Sequence, residues 1–489
     1  MTREPGDLPL GKCRSFGGKG KAKGRTLNCK KPTLWVGFFN TLRRRWRVIF
    51  LMRCVMKGIV ISAPSSGNGK TLFTMGLIKV LKDMSFSVFP CKVGPDYIDT
   101  GFLGRAAEVT AQNIDPFLQG KDYKKLIEKN NDLCVIEGVM GFFDGISNTF
   151  INSTFHITRE LGLNSVLVYT PRGEMFSAAV KIKGMVDFSK GAIKGVVLNR
   201  VSPTTYKLLK EAIEKCAGVK VLGYIEEDKG LAVNSRHLGL IQNTEIEGFD
   251  EILDRMAYRI KESVDVKALL GLFEEIDLPG DGFIQPLKTN RKAAVAFDKA
   301  FSFYYRENIN ILSNLFDVTF FSPMKDKRLP DCDFLYIGGG YPEVFKEELS
   351  ENRSILSSIR EFAEGGGYIF AECGGLMYLT RKIDGFEMVG VFDGESHMTD
   401  RLQNFGYGRA KVLEDCLIGP KGFQFNVHEF HRSVSNINRK SCLLIKRIRD
   451  DGENLCGYQY KNTFGMYPHV SFLGSFKILE SILNKMGRR

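Results

Sequence analysis

The chain has 489 residues, 43% of them hydrophobic and 26% charged, which is ordinary for a protein of two or three globular domains. Its net charge of +13 is concentrated in residues 1–56, where 14 Lys and Arg residues are opposed only by Glu4 and Asp7. The remainder is almost neutral, and it has no apolar run of the roughly 20 residues that a membrane-spanning helix needs. We therefore expect neither nucleic-acid binding nor membrane insertion.

Residues 1–56 are predicted to be a basic, disordered extension. The stretch Gly17–Gly24 consists almost entirely of glycine and lysine. The alternative is a targeting or membrane-surface element at Arg43–Met52, but its apolar part is short and is followed by Arg53 instead of a small-residue cleavage site. Met56 begins a clear strand pattern, so we expect it to be the start of translation and the extension to be dispensable or untranslated.

Beyond the extension, eight cysteines are scattered without a CxxC pair or a metal-ligand spacing. This pattern predicts reduced thiols and a cytoplasmic location. A disulfide framework is therefore not expected to define the fold.

From Lys57 onward, short apolar runs alternate with helical patterns. Continuous apolar runs suit strands that are covered on both faces, and their alternation with helices predicts parallel sheets of an α/β fold. In the first half, strands are predicted at Gly58–Ala63, Ser87–Lys92, Leu133–Glu137, Ser165–Tyr169, Gly195–Asn199 and Val219–Tyr224, and helices at Thr71–Met84 and Thr204–Cys216.

A second alternating run begins after a change of composition. An acidic helical stretch from Glu245 to Glu275 leads into the turn-rich Leu278–Gly282, which predicts a domain boundary near residue 285. We therefore expect one domain at 57–245, a helical segment and linker at 246–290, and a second domain at 291–480. The strands of the second domain are predicted at Lys292–Phe297, Val318–Phe321, Phe334–Ile337 and Gly367–Ala371.

A phosphate-binding loop is predicted at Pro64–Thr71, between the first strand and the first helix. Small residues let backbone N–H groups surround phosphates, the helix N-terminus adds partial positive charge, and a lysine and a hydroxyl bind phosphate and Mg²⁺. Pro64 stands where the usual pattern has glycine, and the alternative is a loop of small residues with a surface lysine. The predicted ATP ligands in this loop are Ser66, Gly67, Asn68, Gly69, Lys70 and Thr71.

Two acidic motifs follow other strands of the same predicted sheet. Glu137 ends a strand and is predicted to bind Mg²⁺ together with Thr71, because Mg²⁺ prefers carboxylate and phosphate oxygens. Solvation of the strand end is the alternative. In open α/β sheets, ligands gather at the carboxyl ends of strands. We therefore predict that Asp96, Tyr97 and Asp99 contact the substrate carboxylate that accepts phosphate from ATP, here called the acceptor, or its metal. The alternative is a turn capped by Asp.

A nucleophilic cysteine is predicted at Cys373, where a strand meets a helix. The glycines after it allow a sharp turn, and the helix N-terminus favours the thiolate. The loop Ile337–Glu343 also follows a strand, and its backbone N–H groups are expected to form part of an oxyanion hole. The predicted donors are Gly339, Gly340 and Gly374. A buried structural cysteine is the alternative.

A phosphate loop and a nucleophilic cysteine in one chain indicate an enzyme that activates a carboxylate with ATP and delivers ammonia to it. His469 is the predicted base, because class I glutaminase domains have theirs near the C-terminus. His428 and His431 lack the spacing of an HExxH zinc pair, so we favour a hydrogen-bonded structural or substrate-facing element there.

Residues 57–480 resemble the cobyrinate a,c-diamide synthase family, the glutamine-dependent amidases of corrin-ring biosynthesis. Several of the matching stretches are long and distinctive. They are Ser62–Thr71, Lys92–Asp99, Asn113–Pro116, Glu137–Gly145, Leu198–Arg200, Arg236–Leu240, Ala300–Tyr305, Gly338–Glu343, Glu372–Leu379 and His428–Ser433.

The resemblance implies a P-loop domain related to dethiobiotin synthetase, followed by a class I glutamine amidotransferase-like domain with a flavodoxin-like α/β fold. It implies that ATP and Mg²⁺ phosphorylate an acetate side chain of the tetrapyrrole, and that ammonia from glutamine then displaces the phosphate, first at one acetate and then at the other. The expected partners are cobyrinate, L-glutamine or ammonia, and ATP, with a homodimer as the expected assembly. By resemblance, Asn199 joins the ATP ligands, and Asp144 joins Asp96, Tyr97 and Asp99 in the acceptor region.

One position departs from the amidotransferase pattern. Many class I glutaminases have a glutamate two residues after the histidine, and this chain has Ser471 there. The corrinoid branch tends to lack this glutamate. The resemblance therefore implies a weaker glutaminase that also uses free ammonia.

Three alternatives remain open at this point. The same reaction on nickel sirohydrochlorin or hydrogenobyrinate is barely separated by the motifs. A cobyric acid synthase, which adds four amides, fits Gly94–Asp99 less well. A non-enzymatic P-loop ATPase switch with a DNA- or membrane-binding tail explains residues 1–56 but not Cys373.

Overall fold

The computed structural model describes residues 55–231, 248–279 and 288–487, together with the backbone at 235–236 and 239–240. These residues belong to one compact unit. The predicted basic extension lies outside them except for its last two residues, and so does the predicted domain boundary near residue 285.

The first half is organised around a parallel sheet. The strands of this half are β1 Lys57–Ser62, β2 Val88–Val93, β3 Gln112–Ile114, β4 Leu133–Glu137, β5 Ser165–Tyr169, β6 Ile193–Asn199, β7 Lys220–Ile225, β8 Ser235–Arg236, β9 Gly239–Leu240 and β10 Glu274–Glu275. The sheet has the order β3–β2–β4–β1–β5–β6–β7, and β10 pairs with β1 in the antiparallel sense. A separate short hairpin pairs β8 with β9.

Helices surround this sheet. They are α1 Lys70–Asp83, α2 Ile98–Ala107, α3 Pro116–Gln119, α4 Thr154–Glu160, α5 Phe176–Phe188, α6 Pro203–Ala217, α7 Phe249–Ser263 and α8 Val266–Leu270, with 3₁₀ turns at Gly120–Leu126 and Lys229–Leu231. Local sequence explains where they begin and end. At the start of α6, the Ser202 side chain accepts a hydrogen bond from the Thr205 N–H, and Pro203 is the first helical residue. Gly218 ends the helix with a left-handed backbone conformation, at φ 64°.

The strands predicted for the first half are all confirmed, with ends that shift by no more than two residues. Their interior side chains are buried, as continuous apolar runs require, except for the exposed Lys194 and the partly buried Tyr224. Strand β3 was not predicted, because three residues are too few to show a period. The acidic helical stretch forms α7 and α8 within the described residues.

The second half has its own central sheet. Its strands are β11 Lys292–Ala296, β12 Phe301–Phe303, β13 Asp317–Phe321, β14 Phe334–Ile337, β15 Gly339–Gly340, β16 Tyr368–Glu372, β17 Thr380–Ile383, β18 Phe386–Glu387, β19 Phe392–Met398, β20 Asn404–Val412, β21 Gln424–His431, β22 Ser433–Ile437, β23 Leu443–Arg447, β24 Glu453–Cys456, β25 Tyr458–Tyr460 and β26 Thr463–Met466. Its helices are α9 Arg306–Leu315, α10 Lys346–Glu351, α11 Arg353–Glu364, α12 Gly374–Leu379 and α13 Lys477–Met486. The central order is β13–β11–β14–β16–β26–β25, parallel except for β25. The strands predicted in this half are confirmed as β11, β13, β14 and β16.

Two smaller sheets follow that the sequence analysis did not predict. They have the orders β18–β17–β19–β22 and β21–β20–β23–β24, and most of their pairs are antiparallel. In antiparallel strands with one covered face, apolar residues alternate with polar ones, unlike the continuous runs that identified the central strands.

The two halves meet through a buried carboxylate. Glu307 in α9 is 1% exposed and accepts hydrogen bonds from Gln112 at 2.8 Å, from Gln119 at 2.7 Å and from Ser471 at 2.9 Å. Gln112 and Gln119 belong to the first half, whereas Ser471 follows β26. One side chain of the second half is therefore bonded to both halves.

Close backbone packing and a second polar cluster extend this interface. A Cβ atom at Gly474 would lie 1.9 Å from the carbonyl oxygen of Leu118, so the two backbones touch. The Tyr407 hydroxyl donates to Asp115 at 2.7 Å and accepts from Asn152 at 3.0 Å. Close backbone packing and buried hydrogen bonds therefore both hold the two halves together.

Across the described ranges, no helix is long and apolar enough to cross a membrane.

The Gly474→Ala variant is expected to lose about 1–3 kcal/mol of unfolding free energy, because its new methyl group overlaps the Leu118 carbonyl of the other half. The control is Gly184→Ala in α5, where a Cβ atom meets nothing within 4 Å. That variant should gain about 0.5–1 kcal/mol from helix propensity. Urea unfolding of both variants measures the difference, and equal stabilities would contradict close backbone packing at the interface.

Candidate active site

The predicted phosphate loop lies between β1 and α1 and is held by the ends of two other strands. Asn68 accepts a hydrogen bond from the Thr170 N–H at 2.8 Å, and its carbonyl accepts from Asn199 Nδ2 at 2.9 Å. Gly69 precedes the helix at φ 86°, and a Cβ atom there would lie 2.3 Å from Asn199 Nδ2. Glycine is therefore required at this position by both backbone conformation and space.

Asn199, the ATP ligand suggested by resemblance, uses its amide nitrogen to hold the loop. Ser66 and Gly67 are exposed at the loop tip, and Gly67 has φ 78°. Lys70 points across the loop opening and donates to the Met140 carbonyl at 2.8 Å. Burial and then the neighbouring Lys92 charge lower the pKa of Lys70 to about 8. A bound anion beside Lys70 would stabilise the charged ammonium group and so oppose this lowering of its pKa.

A chain of buried charges lies behind Lys70. Thr71 Oγ1 donates to Glu137 Oε1 at 2.7 Å and approaches Asp99 Oδ2 at 3.3 Å. Lys92 Nζ contacts the same two carboxylates, at 2.9 Å from Glu137 and 2.6 Å from Asp99. The structure therefore brings together both predicted metal ligands, one predicted acceptor residue and a lysine to which the sequence analysis gave no role.

The donor set at Thr71 and Glu137 fits Mg²⁺. Glu137 is fully buried, and its Oε2 atom has no hydrogen-bond partner among the residues that the structure describes. Such an orphaned carboxylate oxygen beside a hydroxyl is an appropriate ligand for a hard cation. Among the residues described, no group of three or more His, Cys, Asp or Glu side chains is arranged to hold a metal alone. Nucleotide phosphates would have to complete the coordination, as is usual for Mg²⁺.

The predicted acceptor residues lie on one loop before α2. Asp96 Oδ1 accepts from the N–H groups of Ile98 at 3.0 Å and Asp99 at 2.9 Å, so it caps the turn as the alternative interpretation required. Burial and then Asp99 raise the pKa of Asp96 to about 7. Asp144 lies on a neighbouring loop, where its Oδ2 accepts from Gly141 N at 2.9 Å.

Cys373 lies at a strained turn between β16 and α12. Its backbone has φ 49° and ψ −107°, a conformation that non-glycine residues rarely adopt. A Cβ atom at Gly375 would lie 2.3 Å from the Ile337 carbonyl, so the turn packs directly on the loop after β14. The side chain of Cys373 is 7% exposed. The thiol is therefore held in place at the N-terminus of α12.

The predicted oxyanion glycines are close to this turn. The backbone nitrogen of Gly340 would lie 3.2 Å from a Cβ atom on Gly374. Gly339 adjoins the predicted base, since a Cβ atom there would lie 2.5 Å from His469 Cε1. Gly339 and Gly340 form β15, which pairs with β12. The glycines thus permit three backbone segments to converge around Cys373.

His469 lies beside Cys373 and is oriented by the residue that precedes the cysteine. Its Nδ1 lies 3.3 Å from Glu372 Oε2. Glu372 is itself held by the Val470 N–H at 3.3 Å and by the Tyr336 hydroxyl at 3.2 Å. Burial alone would lower the pKa of His469, but Cys373 and then Glu372 outweigh it and raise the pKa to about 10.

Ser471, which replaces the usual glutamate, bonds to Glu307 instead. Glu372 therefore occupies the orienting role that the sequence analysis could not assign. The only signal in the sequence was its position directly before Cys373, which does not reveal the direction of its side chain.

Tyr97 connects the acceptor loop to the cysteine site. Its ring lies 5.1 Å from His469, 4.7 Å from Tyr305 and 5.2 Å from Phe303, measured between ring centroids. The predicted acceptor loop and the predicted glutaminase base are thus in direct contact.

The two histidines of the HEFH motif lie on opposite faces of β21. His428 lines a cavity, whereas His431 stacks on Tyr467 with ring centroids 4.0 Å apart. His431 Nδ1 lies 2.8 Å from the Ser433 carbonyl oxygen. The motif therefore contributes one histidine to the cavity and the other to packing against Tyr467.

A cavity of about 910 Å³ lies between the halves, and it reaches both the predicted phosphate loop and the predicted base His469, whereas Cys373 is not among its lining residues. Lys70, Thr71, Asp96 and Asp144 line it from the first half, and His469 lines it from the second.

The fold and these two sites define a P-loop nucleotide-binding domain joined to a glutamine amidotransferase-like domain. Residues 59–240 match the family model described as the CobQ/CobB/MinD/ParA nucleotide binding domain. Residues 292–476 match the CobB/CobQ-like glutamine amidotransferase domain. Among solved structures, the fold is similar to PurLQS from Thermotoga maritima, with 18% identity, a TM-score of 0.32, and coverage of 40% of this chain and 100% of that one.

Curated relatives cover nearly the whole described chain. The cobyrinate a,c-diamide synthase of Clostridium tetani is 45% identical over 440 residues, which span 88% of this chain and 100% of the relative. The enzyme of the same name from Clostridium acetobutylicum is 42% identical, with coverage of 88% and 100%. The chain belongs to the cobyrinate a,c-diamide synthase family.

The Glu372→Gln variant is expected to lose about 10²–10⁴ of the glutaminase rate, because His469 loses the carboxylate that orients it. It should also move the alkaline limb of the pH–rate profile to lower pH. Glu372 helps to raise the pKa of His469, so without it the imidazolium loses its proton at lower pH. Glutamate release from glutamine between pH 6 and 11 measures both effects.

The control for this variant is Glu387→Gln on the exposed strand β18, which should leave the profile unchanged. An unaltered alkaline limb in a folded Glu372→Gln protein would contradict the orienting role.

Proposed function

We propose that this chain catalyses the ATP-dependent amidation of the a- and c-acetate carboxylates of cobyrinate, using ammonia from glutamine, in cobalamin biosynthesis. The observation that carries the proposal is the single cavity that reaches both the phosphate loop and His469. The full-length similarity to relatives named cobyrinate a,c-diamide synthase supports the substrate.

In the first half, ATP would lie along Ser66–Thr71, with its phosphates against the N-terminus of α1 and Lys70. Thr71 and Glu137 would hold Mg²⁺, which neutralises phosphate charge when bound. Asp96, Tyr97, Asp99 and Asp144 would border the acceptor. An acetate oxygen attacks the γ-phosphorus, ADP leaves, and an acyl phosphate forms.

Lys92 belongs to this half of the mechanism as a positioning residue. It bonds to Asp99 and Glu137 together and keeps the two buried carboxylates at one place. Two neighbouring carboxylates without a cation would repel each other in the low dielectric of the interior.

In the second half, the Cys373 thiolate would attack the carboxamide carbon of glutamine. His469 would donate a proton to the departing nitrogen, so that ammonia leaves and a thioester remains for water to hydrolyse to glutamate. The N–H groups of Gly339, Gly340 and Gly374 would stabilise the oxyanion. Ammonia then attacks the acyl carbon in the first half, phosphate leaves, and the amide forms.

The partners follow from this sequence of steps. They are cobyrinate, ATP, and L-glutamine or free ammonia. A cytoplasmic location and a homodimer stay predictions from the sequence. The ATPase-switch alternative gives no use to a cysteine, a histidine and a glutamate arranged as they are around residue 373.

The substrate is tested by offering cobyrinate, hydrogenobyrinate and nickel sirohydrochlorin to the purified protein with ATP, Mg²⁺ and glutamine. We expect cobyrinate to give the highest kcat/KM, and mass spectrometry should show a monoamide that converts to a diamide. A clear preference for another ring would show that the enzyme carries out the same amidation on that ring instead of cobyrinate. The absence of any amide product would refute the proposed function.

The division of labour is tested by a reciprocal pair of variants. Cys373→Ser should abolish amidation with glutamine and retain amidation with ammonium salts, because only the nitrogen source is affected. Glu137→Gln should abolish amidation with both nitrogen sources and retain glutaminase activity. Amide formation and glutamate release are measured in parallel. Loss of ammonia-driven amidation in a folded Cys373→Ser protein would contradict the assignment.

A further inference from the structure

We propose that strands β20 and β21 provide the surface on which the tetrapyrrole ring stacks, so that the glutaminase half forms one side of the ring-binding site. We call this surface the aromatic wall and define it as Phe405, Tyr407, His428 and Phe430. The inference rests on the proposed function, which supplies a tetrapyrrole as the substrate.

The aromatic wall results from strand register. Phe405 pairs with Phe430 and Tyr407 pairs with His428 across the antiparallel ladder. Residues two apart on a strand share a face, so the four side chains form two adjacent rows on the same side of the sheet. All four line the 910 Å³ cavity.

The rings are close enough to act as one surface. Centroids are 5.1 Å apart for Phe405 and Phe430, and 5.5 Å apart for Tyr407 and His428. Between the rows, Phe405 and His428 are 6.3 Å apart. The rings are inclined to one another by 64–79°, so a flat molecule would meet some of them by the face and others by the edge.

This surface is left uncovered at the cavity. Phe405 is 40% exposed although it lies inside an interdomain space. His428 makes no hydrogen bond through its ring in the described part of the chain, and its Nδ1 atom is buried without a partner. Burial lowers the pKa of His428 to about 3, so the ring is neutral and suits an apolar, aromatic contact.

The rim of the cavity has the charge that the substrate requires. Arg200 follows β6 of the first half, and Arg449 lies in the turn between β23 and β24 of the second. Arg449 is 66% exposed, and its side chain lies 3.7 Å from the carboxylate of Asp450. Guanidinium groups bind carboxylates in a bidentate manner, which matches the carboxylate side chains around a cobyrinate ring.

The same cavity also reaches the predicted phosphate site. Lys70, Thr71 and Asp99 of the first half line it together with the aromatic wall. Its volume is near the upper end of the range for small-molecule pockets, which suits a large macrocycle. A ring held on the wall would therefore lie in the same cavity as the phosphate loop, where its acetates must be presented.

Stacking also suits a reaction at two positions. Aromatic contact holds the face of a ring with little directional constraint, and the guanidinium groups at the rim can pair with whichever of the carboxylate side chains around the ring lies beside them. The ring can therefore be turned after the first amidation to present the second acetate.

The test is the double variant Phe405→Ala/Phe430→Ala, whose affinity for cobyrinate is measured by absorbance titration without ATP. The dissociation constant should rise about tenfold or more through loss of two aromatic contacts. The KM for cobyrinate should rise in parallel, whereas the KM for ATP and the glutaminase rate should stay within about twofold of the wild type.

The matched control is Phe297→Ala/Phe320→Ala. These rings also form an exposed edge-to-face pair, at 5.7 Å, but do not line the cavity. They should leave cobyrinate affinity unchanged. A single variant, Arg449→Gln, should weaken cobyrinate binding, whereas Arg353→Gln, equally exposed in α11, should not.

Unchanged cobyrinate affinity in the Phe405→Ala/Phe430→Ala protein, with normal amidation, would overturn the aromatic wall and leave the proposed function intact. A wild-type protein that neither binds nor amidates cobyrinate would overturn both. Weaker binding in both double variants would also overturn the wall, because the loss would then not be specific to the cavity.

Discussion

The arrangement of both candidate sites depends on the buried carboxylate of Glu307. It is closed off from solvent and accepts three hydrogen bonds, from Gln112, Gln119 and Ser471. Burying a carboxylate is costly unless its oxygens are satisfied, and here donors from both halves are needed to satisfy it. Separating the halves would strip Glu307 of two donors at once. The relative position of the two sites is therefore set by polar geometry as well as by apolar contact.

This constraint explains why Ser471 is compatible with a histidine-assisted cysteine. In the usual amidotransferase pattern, the residue two positions after the histidine orients it. In this chain that residue is bonded to the interface, and Glu372 on β16 bonds to His469 instead. A glutamate on the strand immediately before the cysteine is fixed by the same turn that fixes the thiol. The orienting contact thus comes from the central sheet, and the position after the histidine serves domain packing.

The sequence predicted what is encoded locally. Strand, glycine loop and helix follow one another within a few residues at both Lys70 and Cys373, so their order could be read directly, and the central strands were found because they are continuously apolar. Residues whose roles depend on distant partners were missed. Lys92 acquires its role from Asp99 and Glu137, and Glu372 from His469. The antiparallel strands were missed because their alternating pattern is weak and interrupted by glycine, as at Gly406 and Gly408.

The contact of Tyr97 with His469 bears on how two reactions can share one cavity. Tyr97 lies in the acceptor loop between Asp96 and Asp99, and its ring packs on the histidine that would release ammonia. The predicted acceptor loop therefore packs directly against the predicted glutaminase base. Since Asp99 is bonded to Lys92 and Thr71, that loop is also attached to the phosphate site. Hydrogen bonds and ring packing consequently link Thr71 in the phosphate loop to His469 through the loop that carries Tyr97 and Asp99.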